Sequence, residues 1–449
     1  MRVFPLACAL LLAGCASLPP QPPTETLREQ VAERADVSTA QQRDPEARRR
    51  AAEEVAALLQ APLTREAAVQ VALLNNRQVQ ALFAELDVAA ADYFDTVTPR
   101  NPVLDLEALR PEGGGRAALE LELTQSILGL LTRRSRMAAA QATLETRELE
   151  AVETMLALIR GVEVAFLRAQ ADAETAAMLR YSVAATEAAV VAAEALYDAG
   201  NVTRLTVARE RQLHEETRLR LMEAEARRRS SDEALNRQLG LQGADTRRAL
   251  QSRVPALPDD GAGADMLEAE AVASSVRLAA LRTQVDAASR AAGLADATAL
   301  LPEVTVGATA ERDSDGTWAY GPRLQLPLPL LDRGQGRRGR AWANLEALSH
   351  TWRHEVTALR SHVREAADRY RSAREQALHA RDVLMPLSSR VLQLTLLDYN
   401  AMESDPFDLL LARRGQIEAG LRHIETRRAY WVARLDLENL RRGGAAGGG

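Results

Sequence analysis

Two stretches of the chain read as one sentence written twice: ALYDAGNVTRLTVARERQL, Ala195–Leu213, and LDYNAMESDPFDLLLARRGQI, Leu397–Ile417. Each has a tyrosine, a turn of small or polar residues, and then an apolar run ending in Ala-Arg. Tyr197 and Tyr399 stand 202 positions apart (399 less 197). Working outward, other pairs keep an offset near 200. TREAAVQVALLNNRQVQAL from Thr64 is answered by LEAEAVASSVRLAAL from Leu267. NPVLDLEAL from Asn101 is answered by LPEVTVGATA from Leu301, and RRSRMAAAQATL from Arg133 by RRGRAWANLEAL from Arg337. Self-similarity at one long offset means two copies of one supersecondary unit. Each copy reads as a helix, two short alternating segments, a very long helix, the tyrosine turn and a return helix.

The alternating segments are the most informative. In ALELELTQ, Leu119, Leu121 and Leu123 alternate with Glu120, Glu122 and Thr124. Val304, Val306, Ala308 and Ala310 alternate with Thr305, Gly307 and Thr309, and WAYGPRLQL carries Trp318, Tyr320, Leu324 and Leu326 on one side. A period of two with one apolar face predicts strands, at about 102–109, 117–125, 303–311 and 318–327. RPEGGGR and ERDSDGT between them have hairpin-turn composition. Segments of about nine residues, apolar outside and polar inside, suit tilted strands of a membrane barrel. Four strands cannot close one, since the smallest use about eight, so several chains must contribute; three would supply twelve. Two hairpins on a water-soluble domain would leave unpaired edges and little apolar area to bury.

The long helix is predicted from about Arg136 to Leu196, on the order of 90 Å at 1.5 Å per residue. Leu158, Val162, Ala165, Ala169, Ala176, Leu179, Val183, Val190, Ala193 and Tyr197 hold a 3-4 spacing that only Asp172 and Thr186 interrupt. A second stripe, Leu149, Val152, Leu156, Ile159 and Phe166, runs beside it. Two seams imply neighbours on both sides, as in a closed ring of helices; a lone coiled-coil scaffold needs one. At the turns, Gly200 suits a left-handed helix end, Thr203 an N-cap, and Asp405-Pro406 a cap and first helical position. The second turn departs from the first, with Met402 in place of Gly200 and two residues added before the return helix.

The chain has 449 residues and a net charge of −6, so nothing calls for a nucleic-acid partner. Aromatics are 4% of residues, and such a composition favours long helices. MRVFPLACALLLAGCASLPP reads as a secretory signal over 1–14, too short in its apolar part to span a membrane. Leu12-Ala13-Gly14-Cys15 resembles a bacterial lipobox, which implies acylation of Cys15; Ala16 after it favours the outer membrane by the same resemblance. With Cys8 removed, no intramolecular disulfide or cysteine metal site is expected. Residues 15–62 then hold the lipidated cysteine, a Pro-rich tether and a helix. The first copy spans 63–245, a linker 246–264, the second copy 265–441 and a flexible tail 442–449.

The doubled order of these features resembles the TolC family of outer-membrane efflux proteins, specifically its lipoprotein members. It rests on the lipobox, LTREAAVQVALLNN, both hairpins, GPRLQLPLPLLDRGQGRR and the paired YDAGN and YNAM turns, from Leu63 to about Leu440. The expected fold is mainly α with a small membrane β part. Long coiled-coil helices would form an α-barrel, and trimerisation would complete a β-barrel. The resemblance implies a homotrimer in the outer membrane of a Gram-negative bacterium, with helices in the periplasm. A periplasmic adaptor would link it to an inner-membrane pump, and drugs or metal ions would leave through the duct. The chain would be no enzyme and carry no cofactor. Carried over, Tyr197, Asp198, Ala199, Gly200 and Asn201 form the first tip, and Tyr399, Asn400, Ala401, Met402 and Glu403 the second. Both would meet the adaptor. Alternatives are a lipid-anchored periplasmic scaffold and a duct for protein secretion.

Asp405 and Asp408 would make an acidic ring at the aperture if tripled by symmetry, attracting cations; alternatively they cap the helix and complement its dipole. His350 and His354 share a helix face at a spacing that can hold a metal. HTWRHE lacks the glutamate directly after the first histidine that a metalloprotease needs, and a solvated surface explains the pair. DRGQGRRGR from Asp332 lacks the Lys-Ser/Thr of a phosphate loop. It is expected at a strand-to-helix junction, its arginines near lipid headgroups with Arg133, Arg134 and Arg136.

Overall fold

The computed structural model describes residues 23–110, 116–251, 253–258, 267–300, 303–401, 403–404 and 406–445. Cys15, Met402 and Asp405 lie outside the described residues. In chain order the elements are α1 (Pro23–Ala35), α2 (Pro45–Leu58), α3 (Arg65–Asn75), α4 (Arg77–Val97), β1 (Val103–Leu109), β2 (Ala118–Ser126), α5 (Leu128–Leu131), α6 (Arg133–Asp198) and α7 (Arg204–Leu239). Then come α8 (Leu267–Ser274), α9 (Val276–Ala297), β3 (Thr305–Arg312), β4 (Trp318–Gln325), α10 (Gln335–His379), α11 (Met385–Asn400) and α12 (Pro406–Arg441). The protein is mainly helical with one small sheet, and the same order of elements occurs twice.

The lengths repeat as well. The outgoing helix of the first copy, α6, is 66 residues. Its counterpart is 45 residues of α10, a five-residue π-turn at Ala380–Leu384 and 16 residues of α11, together the same length. The return helices α7 and α12 have 36 residues each. Pro386 accounts for the π-turn. It has no N–H to give the preceding turn, and its ring would strike the carbonyl four residues back. A π-turn re-spaces the hydrogen bonds there. The turns 199–203 and 401–405 are equally long, which corrects the expectation of two added residues. The Ala-Arg pairs at 208–209 and 412–413 drift by two, but the helix starts at Arg204 and Pro406 do not.

The chain forms two compact units. Among the described residues, the first joins those of 23–27, 83–151 and 276–356, and the second those of 28–82, 152–275 and 357–445. In the first, all four strands form one antiparallel sheet in the order β1-β2-β3-β4. The hairpins of the two copies meet at the β2–β3 pair, where Leu121 faces Ala310 and Glu120 faces Glu311. Beneath it, Tyr93, Val97, Ala140 and Leu144 pack α4 on the start of α6.

In the second unit, α6, α7 and α12 pack through Ala176, Leu179 and Ala224, with Leu221, Ile417 and Leu421 against them. Val152, Leu156, Ile159 and Phe166 of the second stripe are fully buried, each at 2% exposure or less. The longer seam is buried at Val162, Ala169, Ala176, Leu179 and Ala193, half-buried at Val183 and Val190, and ends at Tyr197, which is 42% exposed. Thr186, an interruption of that seam, is buried, and its hydroxyl donates to the Val183 carbonyl. The segment after α7 is packed, not loose. Leu63 bridges Leu250 in parallel, Val254 and Leu257 are buried, and Trp431 Nε1 donates to the Pro255 carbonyl.

Candidate conduit surfaces: an open sheet and two helix turns

The sheet keeps its two faces chemically apart in register. One row runs Leu106, Leu121, Ala310, Tyr320 and the next Leu104, Leu123, Ala308, Pro322. On the opposite face, one row runs Glu107, Glu120, Glu311, Ala319 and another Asp105, Glu122, Thr309, Gly321. Like charges directly opposite each other are unfavourable in a sheet unless water reaches them. Arg323 relieves part of the cost, reaching Glu122 at 2.6 Å. It reaches over Gly307, in whose place a Cβ would lie 2.5 Å from the Leu123 carbonyl oxygen. The apolar face is bare: Leu104, Leu106, Leu324 and Tyr320 are all more than 60% exposed. Trp318 and Tyr320 stack near the β3–β4 turn, their centroids 6.0 Å apart.

Both sheet edges, β1 and β4, lack a partner strand among the described residues. A bare apolar face and two open edges are unstable in water and prone to pair. No helix among the described residues is long and apolar enough to cross a membrane.

At the first turn, Asn201 N–H donates to the Leu196 carbonyl at 2.8 Å and Gly200 N–H to Tyr197 at 2.9 Å, with Gly200 at φ +77°. This is the double bond of a Schellman ending. Thr203 Oγ1 then accepts from Thr206 N–H at 3.2 Å and starts α7. Tyr197, Asp198, Ala199, Gly200 and Asn201 are all exposed. At the second turn, Glu403 N–H donates to the Asp398 carbonyl at 2.8 Å, the same long bond. Tyr399 is half-buried, and Asn400, Ala401 and Glu403 are exposed. Ser404 Oγ donates to Asp408 Oδ2 at 3.2 Å, and Asp408 sits in the first turn of α12, where a carboxylate meets the positive end of the helix dipole.

The contacts that pack the long helices are less visible in the sequence. Asn75 Nδ2 donates to the carbonyls of Leu239 and Gly240, and Asn76 Nδ2 to that of Gln238. The doubled asparagine after an apolar helix thus closes the end of α7. Glu174 of α6 pairs with Arg427 of α12 at 2.5 Å, and Arg160 with Asp436 at 2.5 Å. Their partners are far apart in sequence and carry no periodic mark. Glu163, buried, sits between Arg442 at 3.6 Å and Arg65 at 4.0 Å; burial raises its carboxyl against both cations. Burial and the nearby Glu145 push the Glu148 carboxyl up to about 7. His423 beside Arg427 is held below the usual imidazole range, first by burial. His350 Nε2 lies 3.9 Å from Glu346, and no group of three or more His, Cys, Asp or Glu among the described residues is placed to hold a metal ion.

Residues 68–241 match the family model for outer membrane efflux proteins. A comparison with curated proteins finds none that matches. Among solved structures, a membrane protein from Pseudomonas aeruginosa superposes with a TM-score of 0.72 at 20% identity, covering 84% of this chain and 90% of that one. The Campylobacter jejuni CmeC outer membrane channel gives 0.72 at 17%, covering 85% and 86%. The Vibrio cholerae outer membrane protein VceC gives 0.70 at 16%, covering 85% and 96%. Residues 68–241 thus resemble the outer membrane efflux proteins, and the fold of the chain is one it shares with these solved outer-membrane proteins.

Proposed function

We propose that the protein is a passive export duct of the outer membrane, formed when three copies close their sheets into one twelve-stranded barrel. The observation that carries this is the open sheet: an exposed apolar face, an acidic face and two free edges, on four strands too few to close alone. The apolar rows would face lipid and the acidic rows a water-filled lumen. The helical turns would meet a periplasmic adaptor, and an inner-membrane pump would supply the energy. The chain then catalyses nothing. Its cargo is small molecules, drugs or metal ions, chosen by the pump. Acylated Cys15 would tether the chain to the same membrane.

Strand pairing between copies tests the duct. Cysteines at Asp105 on β1, combined in turn with Ala319, Gly321 or Arg323 on β4, scan the register of the joint. Oxidation is expected to give a covalent trimer on denaturing gels for at least one pair, and the unmodified protein to conduct ions in planar bilayers. A chain that stays monomeric, cross-links in no register and does not conduct is a lipid-anchored scaffold instead.

A further inference from the structure

We propose that the helix-side end of the sheet is a binding surface for anionic phospholipid headgroups; the idea rests on the membrane placement of the sheet. The strap from β4 to α10 reads LPLPLL, and its leucines are bare: Leu328 is 71% exposed, Leu330 74% and Leu331 92%. Pro327 and Pro329 lack an N–H, so the strap cannot go on pairing as a strand. Its far end is pinned. Gly334 at φ +74° lies so close to the segment that follows α9 that a Cβ would sit 2.8 Å from the Ala299 carbonyl oxygen. Asp332 Oδ1 accepts from Gly334 N–H at 2.8 Å, so the one carboxylate of the strap is spent on the turn.

Cations follow at once. Arg338 is paired with Asp296 at 2.9 Å, and Arg337 donates to the Ala299 carbonyl at 3.2 Å. Arg333 and Arg340 are exposed and have no carboxylate partner among the described residues. Arg134, at the start of α6, is likewise exposed and unpaired there, and the neighbouring Arg133 has a buried Nε without a hydrogen-bond partner. Leucines on a proline strap beside unpaired guanidinium groups suit one partner. The leucines gain from acyl chains and the arginines from phosphate, which they grip in two-pronged fashion. A second copy of this chain would bring like charges together, so charge complementarity favours a negatively charged bilayer. Each arginine near such a surface is worth about fivefold in affinity, and the effect decays with salt.

Native mass spectrometry on the full-length chain in detergent, titrated with phosphatidylglycerol, phosphatidylcholine or inorganic phosphate, tests this. The wild type is expected to prefer phosphatidylglycerol over phosphatidylcholine, and inorganic phosphate not to compete. The triple variant R134Q/R333Q/R340Q is expected to lose at least about tenfold of that preference, with only part of it restored by R134K/R333K/R340K, which keeps the charge and loses the two-pronged grip. R49Q/R50Q/R229Q, three exposed arginines of the other unit, is expected to behave as wild type. L328S/L330S/L331S should weaken both lipids alike. Equal binding of the two lipids by the wild type, or an unchanged preference in the first triple variant, overturns the proposal. Displacement by inorganic phosphate overturns it too, by showing a free-anion site. Oligomeric state and conductance in phosphatidylcholine bilayers, measured on the same samples, keep the two readings apart. Loss of conductance with preserved lipid preference counts against the duct alone.

Discussion

At the scale of single residues, the long helices are joined by a few ionic and capping contacts, and these set the sharpest expectations. Glu174 and Arg427 are both mostly buried, with side chains 17% and 12% exposed. Glu174→Ala would leave a buried guanidinium without its counter-charge, a loss of about 3–5 kcal/mol. Chemical denaturation should show it as an early midpoint at unchanged slope. Asn75→Ala removes two donors from the end of α7 and should cost about 1–2 kcal/mol. Glu148 gives a pH signature. Its folded pKa of about 7 lies above the 4.5 of an ordinary glutamate, so the fold favours the neutral acid. The group is therefore harmless below about pH 4.5, and its cost grows as pH rises to about 7 and is complete above that. The carboxyl is partly solvated, so screening leaves this on the order of 1 kcal/mol. Thermal melts of Glu148→Gln should match the wild type at pH 4.5 and exceed it at pH 8. A variant that melts alike at both pH values would show that Glu148 carries no such penalty.

At the scale of elements, the two outgoing helices differ at one place. Pro386→Ala restores the missing N–H, and α-helical hydrogen bonds can then run through Ala380–Leu384. Hydrogen exchange should slow at those amides and stay unchanged in α6. Equal exchange in both proteins would mean that the π-turn has another cause. The elements themselves were legible because their signals are local. Strict alternation marks β2 and β3, and a glycine followed three positions later by a threonine marks the first turn. The doubled tyrosine turn is what suggests the repeat. The π-turn was not legible, because Leu-Met-Pro inside a long helix gives no sign of how the backbone absorbs the proline. Nor were the carboxylate rows Glu107–Glu120–Glu311, which depend on strand register across both copies. The apparent two-residue insertion misled because Ala-Arg is a match of composition and not of helical position.

At the scale of the whole molecule, one joint unites the copies in the sheet: the pairing of β2 with β3. It is also the joint a single side chain can break. Gly307 faces Thr124 across it, and a Cβ there would lie 2.5 Å from the Leu123 carbonyl oxygen and 2.8 Å from a Thr124 methyl. Those distances are well inside van der Waals contact, and one of the atoms is backbone, which cannot rotate away. Gly307→Val should therefore push β3 off β2 and leave two isolated hairpins, marginal by themselves. The helices, packed by their own cores and ion pairs, have no reason to unfold. The expected result is near-normal helical circular dichroism with loss, on unboiled gels, of the heat-labile trimer proposed above and of the proposed bilayer conductance. A Gly307→Val chain that still trimerises and conducts would show that the copies close their barrel without this joint, and the sheet would then owe its function to some other pairing.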